Sequence, residues 1–219
     1  EEEMRVRING YTLIELLIVV AIMGLLLGIA LPAFTKIAKG TGVKLAATDI
    51  AGKISATRSW AVSQRRYAAL VFPSSESSLP DSYRYTKYRA CQVYYDTSNG
   101  RWTFKSWIDG ENWAETPSGT AVYSLDDITA TTYLYSCDMT DVQASLTPNI
   151  VKFIVFRPSG SIVSSDCAPA TVKIAEATYT NGNLTYTSFE GGTPTSPTTI
   201  KNGLTLSVNP FTCKVTYDY

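Results

Sequence analysis

Hydrophobic patterning begins with an apolar run, "TLIELLIVVAIMGLLLGIAL" at residues 12–31, broken by a single charge, Glu15. As a helix, a run of about 20 residues spans roughly 30 Å, the thickness of a bilayer's hydrocarbon core. An ionisable side chain there costs about 2.5 to 3.5 kcal/mol on insertion scales, so Glu15 needs a partner or a task. Arg5 and Arg7 precede the run and favour a cytoplasmic N-terminus with the long C-terminal part exported. Gly24, Gly28 and Pro32 mark the weak point of the helix, since glycine adds backbone freedom and proline removes a donor. The segment 24–32 is expected to kink.

After Pro32 the periodicity changes. Val43, Ala47, Ile50, Ile54, Thr57 and Ala61 recur at alternating spacings of four and three, the stripe of a helix with one buried face. Thr57 interrupts the apolar character, but its methyl can pack while its hydroxyl bonds back to the preceding turn. Gly40 and Gly42 predict a bend before this helix. From residue 67 short β runs replace the helical period: "YAALVF", "QVYYD" and "RWTFKSW" around a turn at 97–100, "NIVKFIVF" followed by a turn and "SIVSS", "TVKIAEATY" followed by "NGN", "GLTLSV" and "CKVTYDY". The Gly-, Pro-, Ser- and Thr-rich stretches 74–82 and 187–200 read as surface loops. The expected fold class is α+β: a long N-terminal hydrophobic α-helix packed on an antiparallel β-rich globular head. The expected divisions are 1–10, a helical stalk 11–66 (apolar 11–34, amphipathic 35–66), and the head 67–219.

Charge and composition narrow the chemistry. The net charge is zero, but Lys36, Lys39, Lys44, Lys53, Arg58, Arg65 and Arg66 crowd 33–66 against Asp49 alone, while acids outnumber bases beyond residue 67. A mildly acidic head argues against a nucleic-acid-binding domain. With no histidine, Ser-His-Asp and Cys-His nucleophile systems and His-based zinc sites are excluded. Asp126/Asp127 and Asp138/Asp141 read as solvated loop acids, and no phosphate-cradling glycine loop is present. "DTSNG" and "DGENWAE" carry oxygen ligands on turns, but without EF-hand spacing. No enzyme activity, cofactor or metal is expected. Tyr94, Tyr95, Trp102, Phe104, Trp107 and Trp113 cluster in sequence, and packing within and between sheets is the expected use. Cys91, Cys137, Cys167 and Cys213 are even in number and form no C-x-x-C motif, so an oxidising compartment would join them as two disulfides in one of three connectivities. Buried thiols are the alternative.

The basic leader, Gly10, Tyr11, Glu15 and the long apolar helix, in that order, resemble the type IV prepilin signature of type IV pilins and the pseudopilins of type II secretion. The resemblance implies cleavage by a prepilin peptidase after Gly10 and methylation of the new N-terminus at Tyr11. It also implies that Glu15 neutralises the α-amino group of an adjacent subunit during assembly. The implied partners are copies of the chain itself or other pilins, the inner-membrane assembly machinery, and the membrane before assembly. The implied location is the inner membrane and then an extracellular filament or periplasmic pseudopilus. The family's C-terminal loop favours Cys91 with Cys137 and Cys167 with Cys213. In the head, "ATRSWAVSQRR" and "IVFRPSG" resemble the H/T-type minor pilins and pseudopilins. "NPFTCKV" departs from their Gly-Arg turn, which removes the ground for any DNA-binding role attached to it. Two readings follow: a subunit of a type IV pilus-like helical filament, or a minor pseudopilin that primes or tips a pseudopilus and contacts cargo.

Overall fold

A computed structural model describes residues 12–38, 41–74, 79–126, 134–137, 149–164 and 167–218. Two compact units divide the chain, Glu1–Lys39 and Gly40–Tyr219. The first contains helix α1, Leu13–Ala38, which runs through the positions of Gly24, Gly28 and Pro32. The second begins with α2, Thr41–Gln64, so the amphipathic helix belongs to the head unit and not to a stalk extending to residue 66.

Helix α2 buries Val43, Ala46, Ala47, Ile50, Ile54, Thr57 and Ala61, the expected stripe with Ala46 added. The Thr57 hydroxyl donates to the Lys53 carbonyl at 2.7 Å, which makes a buried threonine tolerable on that face. At the C-terminus Arg65 takes a left-handed conformation (φ 53°). Its N–H donates to the Val62 carbonyl at 3.3 Å and that of Arg66 to Ala61 at 3.1 Å, which satisfies two terminal carbonyls and turns the chain into the first strand.

The strands are β1 Ala68–Phe72, β2 Lys87–Asp96, β3 Arg101–Trp107, β4 Ala114–Glu115, β5 Thr120–Asp126, β6 Leu134–Cys137, β7 Asn149–Phe156, β8 Ala170–Thr180, β9 Asn183–Tyr186, β10 Phe189–Thr193, β11 Ser196–Ile200, β12 Gly203–Val208 and β13 Val215–Asp218. One sheet has the order β1-β7-β6-β3-β2-β4, and the further pairing of β1 with β2 closes its first five strands into a ring. The β3–β6 contact, Thr103 opposite Tyr135, is parallel. The second sheet has the order β13-β12-β8-β5 with β9 on β8, joined through a two-residue turn in which Asn181 and Gly182 both have positive φ (52° and 82°). Those angles are what a tight hairpin turn requires.

Strand β1 is buried on both faces because it separates two cores. Ala69 and Val71 point into the strand ring with Cys91, Val93, Trp102, Leu134, Cys137, Val151, Phe153 and Val155. Side chains fill such a small barrel completely. Ala68, Leu70 and Phe72 point the other way, into a core shared by α2, the outer face of the ring and the second sheet through Val172, Ile174, Leu204, Leu206 and Val208. Small alanines on α2 let the sheet approach.

Three expectations change. The stretch 187–200 is not a plain loop: it contains the hairpin β10–β11, exposed over most of its length. The "SIVSS" segment makes a single bridge, Ile162 to Phe156, and no full hairpin. The Ile162 N–H instead donates to the Pro210 carbonyl at 2.7 Å, so the C-terminal loop takes the place of a longer ladder. The expected disulfides Cys91–Cys137 and Cys167–Cys213 are not formed. Cys213 is buried with its thiol donating to the Gly160 carbonyl at 3.0 Å, whereas Cys167 is exposed. Cys91 and Cys137 are packed as apolar side chains of the ring interior.

Candidate functional site

At the start of α1 the Thr12 N–H and hydroxyl donate to Glu15 Oε2 at 2.8 and 2.7 Å, and the Glu15 N–H donates to Thr12 Oγ1 at 3.3 Å. This is a capping box, in which threonine at the helix boundary and glutamate three residues on satisfy each other's orphan donors. The carboxylate also faces the positive end of the helix dipole. Within its own chain, Glu15 therefore caps the helix. Gly10 and Tyr11 lie outside the described residues.

Beyond this cap the helix has no polar face. Every large apolar side chain from Leu13 to Leu27 is exposed, from 49% at Val19 to 82% at Leu13. A helix that is apolar all round requires cover. Gly24 has nothing within 4 Å of a side chain placed there, and the side chains at Gly28 and Pro32 lie outside the described ones. Among the described residues no helix is long and apolar enough to cross a membrane; the expected span 12–31 extends past the last described side chain, Leu27.

In the head, the clustered aromatics close the two ends of the strand ring. At one end Trp102 lies between Tyr67 and Tyr95, with centroids 5.2 and 5.3 Å away. At the other Trp107 meets Trp113 at 5.3 Å and Phe104 at 5.0 Å, while Tyr83 meets Trp113 edge-on at 5.6 Å. The Arg89 guanidinium sits 4.3 Å from the Trp107 centroid and the Lys87 ammonium 4.2 Å from that of Tyr83. The chain's own cations occupy these ring faces, so the aromatics act as packing. In "DTSNG", the Asp96 oxygens accept from the Ser98 N–H at 2.9 Å and the Asn99 amide at 2.5 Å, and these bonds hold its carboxyl below the usual range. In the loop after β3, Glu111 pairs with Lys53 of α2.

A third junction joins positions far apart in sequence. The Gly160 carbonyl accepts from Arg58 Nε of α2 at 2.9 Å and from the Cys213 thiol. Burial pushes the Cys213 thiol up, partly offset by Arg58, and pushes the fully buried Cys91 thiol up further. The T-x-x-E pattern at 12–15 was visible in the sequence, but the membrane reading of Glu15 obscured it. The Arg58–Gly160–Cys213 junction had no local signal.

Comparison with known proteins bears on the N-terminal site. Residues 5–31 match the model for the prokaryotic N-terminal methylation motif. That motif supports a type IV pilin or pseudopilin, and the observed α+β fold, an N-terminal helix plus a β-rich head, is that of a pilin. Among solved structures, the chain is similar to the type IV minor pilin FimU of Pseudomonas aeruginosa, at 12% identity and a TM-score of 0.42, over 81% of this chain and 88% of that one. No curated protein matches the chain.

Proposed function

We propose that this chain is a structural subunit of an extracellular type IV pilus-like helical filament, held in the membrane by α1 before assembly and packed through α1 afterwards. The observation that carries this reading is a methylation motif joined to a helix whose apolar side chains are exposed all round. Lipid before assembly and neighbouring helices after it are the two surroundings that would cover such a helix. Cleavage after Gly10 would create an α-amino cation at Tyr11, one residue before the Thr12–Glu15 cap. Glu15 then has two partners in succession. Its own cap holds the carboxylate in the single subunit, and the amine of a neighbouring Tyr11 takes it up during filament growth. Leaving that cation buried and unpaired would cost about 3 to 5 kcal/mol.

Glu15→Gln separates the two roles, because glutamine also serves at the third position of a capping box while lacking the charge. The expected outcome is a folded head, an inserted helix and no filaments by electron microscopy. Thr12→Val, which weakens the cap and keeps the charge, should still assemble. Normal filaments from Glu15→Gln would leave Glu15 as a helix cap alone. Intact-mass analysis should show a methylated chain beginning at Tyr11.

A further inference from the structure

The hairpin β10–β11 contributes to neither core. Its sequence from Thr193 is "TPTSPTT", and Thr193, Thr195, Ser196, Thr198 and Thr199 are all exposed. Folding by itself gives no reason to concentrate hydroxyls at this tip. Opposite them, Gly191 and Gly192 hold left-handed conformations (φ 68° and 73°). A side chain at Gly191 would come to 3.0 Å of Thr198 Oγ1, so β10 presents bare backbone where β11 presents hydroxyls. Pro194 and Pro197 flank the central pair; the missing N–H of Pro197 also blunts the strand as a template for another chain. The Pro194 carbonyl accepts from the Tyr186 N–H at 2.7 Å, which ties the tip to β9 and holds the hydroxyls in a fixed, outward display.

Ser and Thr interleaved with Pro, with no apolar residue to bury, is the composition of O-glycosylated segments. We infer that the 193–199 tip is an O-glycosylation acceptor. The donor class is a sugar linked through its anomeric carbon to a diphosphate. A Thr or Ser oxygen bonds to that carbon, the bond from the carbon to the diphosphate oxygen breaks, the hydroxyl proton passes to a base of the transferase, and the diphosphate leaves. No oxidant or reductant is needed. Extra hydroxyl-rich mass at the tip disturbs no core contact.

The test is intact mass and peptide mapping of the full chain purified from the cells that make it. A mass above the sequence value, in sugar increments, should be released by base-catalysed β-elimination and map to 193–199 within the tryptic peptide ending at Lys201. Replacing all five hydroxyl residues with alanine should abolish the increment while protease resistance of the head stays at the wild-type level. If that variant misfolds, site mapping on the wild-type chain still decides. Presence of the increment on chain blocked before export would assign a nucleotide-linked donor; restriction to exported chain would assign a lipid-linked one. Three results would overturn the inference: the bare sequence mass, a phosphate increment, or sugar resistant to β-elimination on Asn183 of the nearby N-x-T sequence.

Discussion

Gly160 shows how much one residue can hold. Its φ is +83°, and a side chain there would come to 3.1 Å of Arg58 Nε and 3.2 Å of Val62 Cγ2. Both the backbone conformation and the space exclude anything larger than glycine. Gly160→Ala should therefore destabilise the head by about 1 to 3 kcal/mol, read as a lower thermal midpoint; an unchanged midpoint would mean that Arg58 moves aside at no cost. The cysteines make a second prediction at this scale. Cys167 is exposed, whereas Cys91, Cys137 and Cys213 are buried. A thiolate must form and be reached for reaction to occur, and burial opposes both steps. Alkylation of the native protein followed by mass spectrometry should find Cys167 labelled first and the other three only after unfolding. Labelling of Cys91 at the rate of Cys167 would contradict the closed ring interior.

Among the elements, α2 displays opposite effects at neighbouring positions. Ile54 is fully buried in the shared core, and Ile54→Ala should cost about 2 to 5 kcal/mol. Gly52 lies on the exposed side with nothing within 4 Å of an added side chain. Gly52→Ala should stabilise the helix by about 1 kcal/mol, the propensity difference in a helix interior. Denaturant midpoints of the two variants should move in opposite directions. A loss in both would mean that Gly52 is covered by a neighbour. The periodic stripe of α2 and the hydroxyl of Thr57 were legible in the sequence because both depend on residues three or four apart. Hairpin β10–β11 was not, because backbone ladders need no apolar side chain and its Gly, Pro and Thr content signalled only a loop.

At the scale of the whole molecule, two tyrosines couple stability to pH. Burial raises Tyr88 to about 12, with Asp49 adding to the shift, and burial raises Tyr186 to about 12 with Tyr123 and Tyr85 contributing. Their ordinary value is 10.0, so the unfolded chain loses these protons first as pH rises. The stabilisation is fully present below pH 10 and is lost as pH climbs through about 12. Alkaline unfolding should begin above pH 10 and coincide with phenolate absorbance; phenolate formation at Tyr88 in a still-folded head would refute the coupling. By itself the sequence determined the apolar α1, the α2 stripe, most strands and the N-terminal motif, since each is written in local order or in a repeat of two or three to four residues. Only the tertiary structure decided that β1 and β2 close the strand ring, that Cys91 and Cys137 pack as its filling, and that Arg58 and Cys213 meet at Gly160. Those outcomes depend on register between segments far apart in the chain, and register is chosen by the burial of whole faces, which no local pattern records.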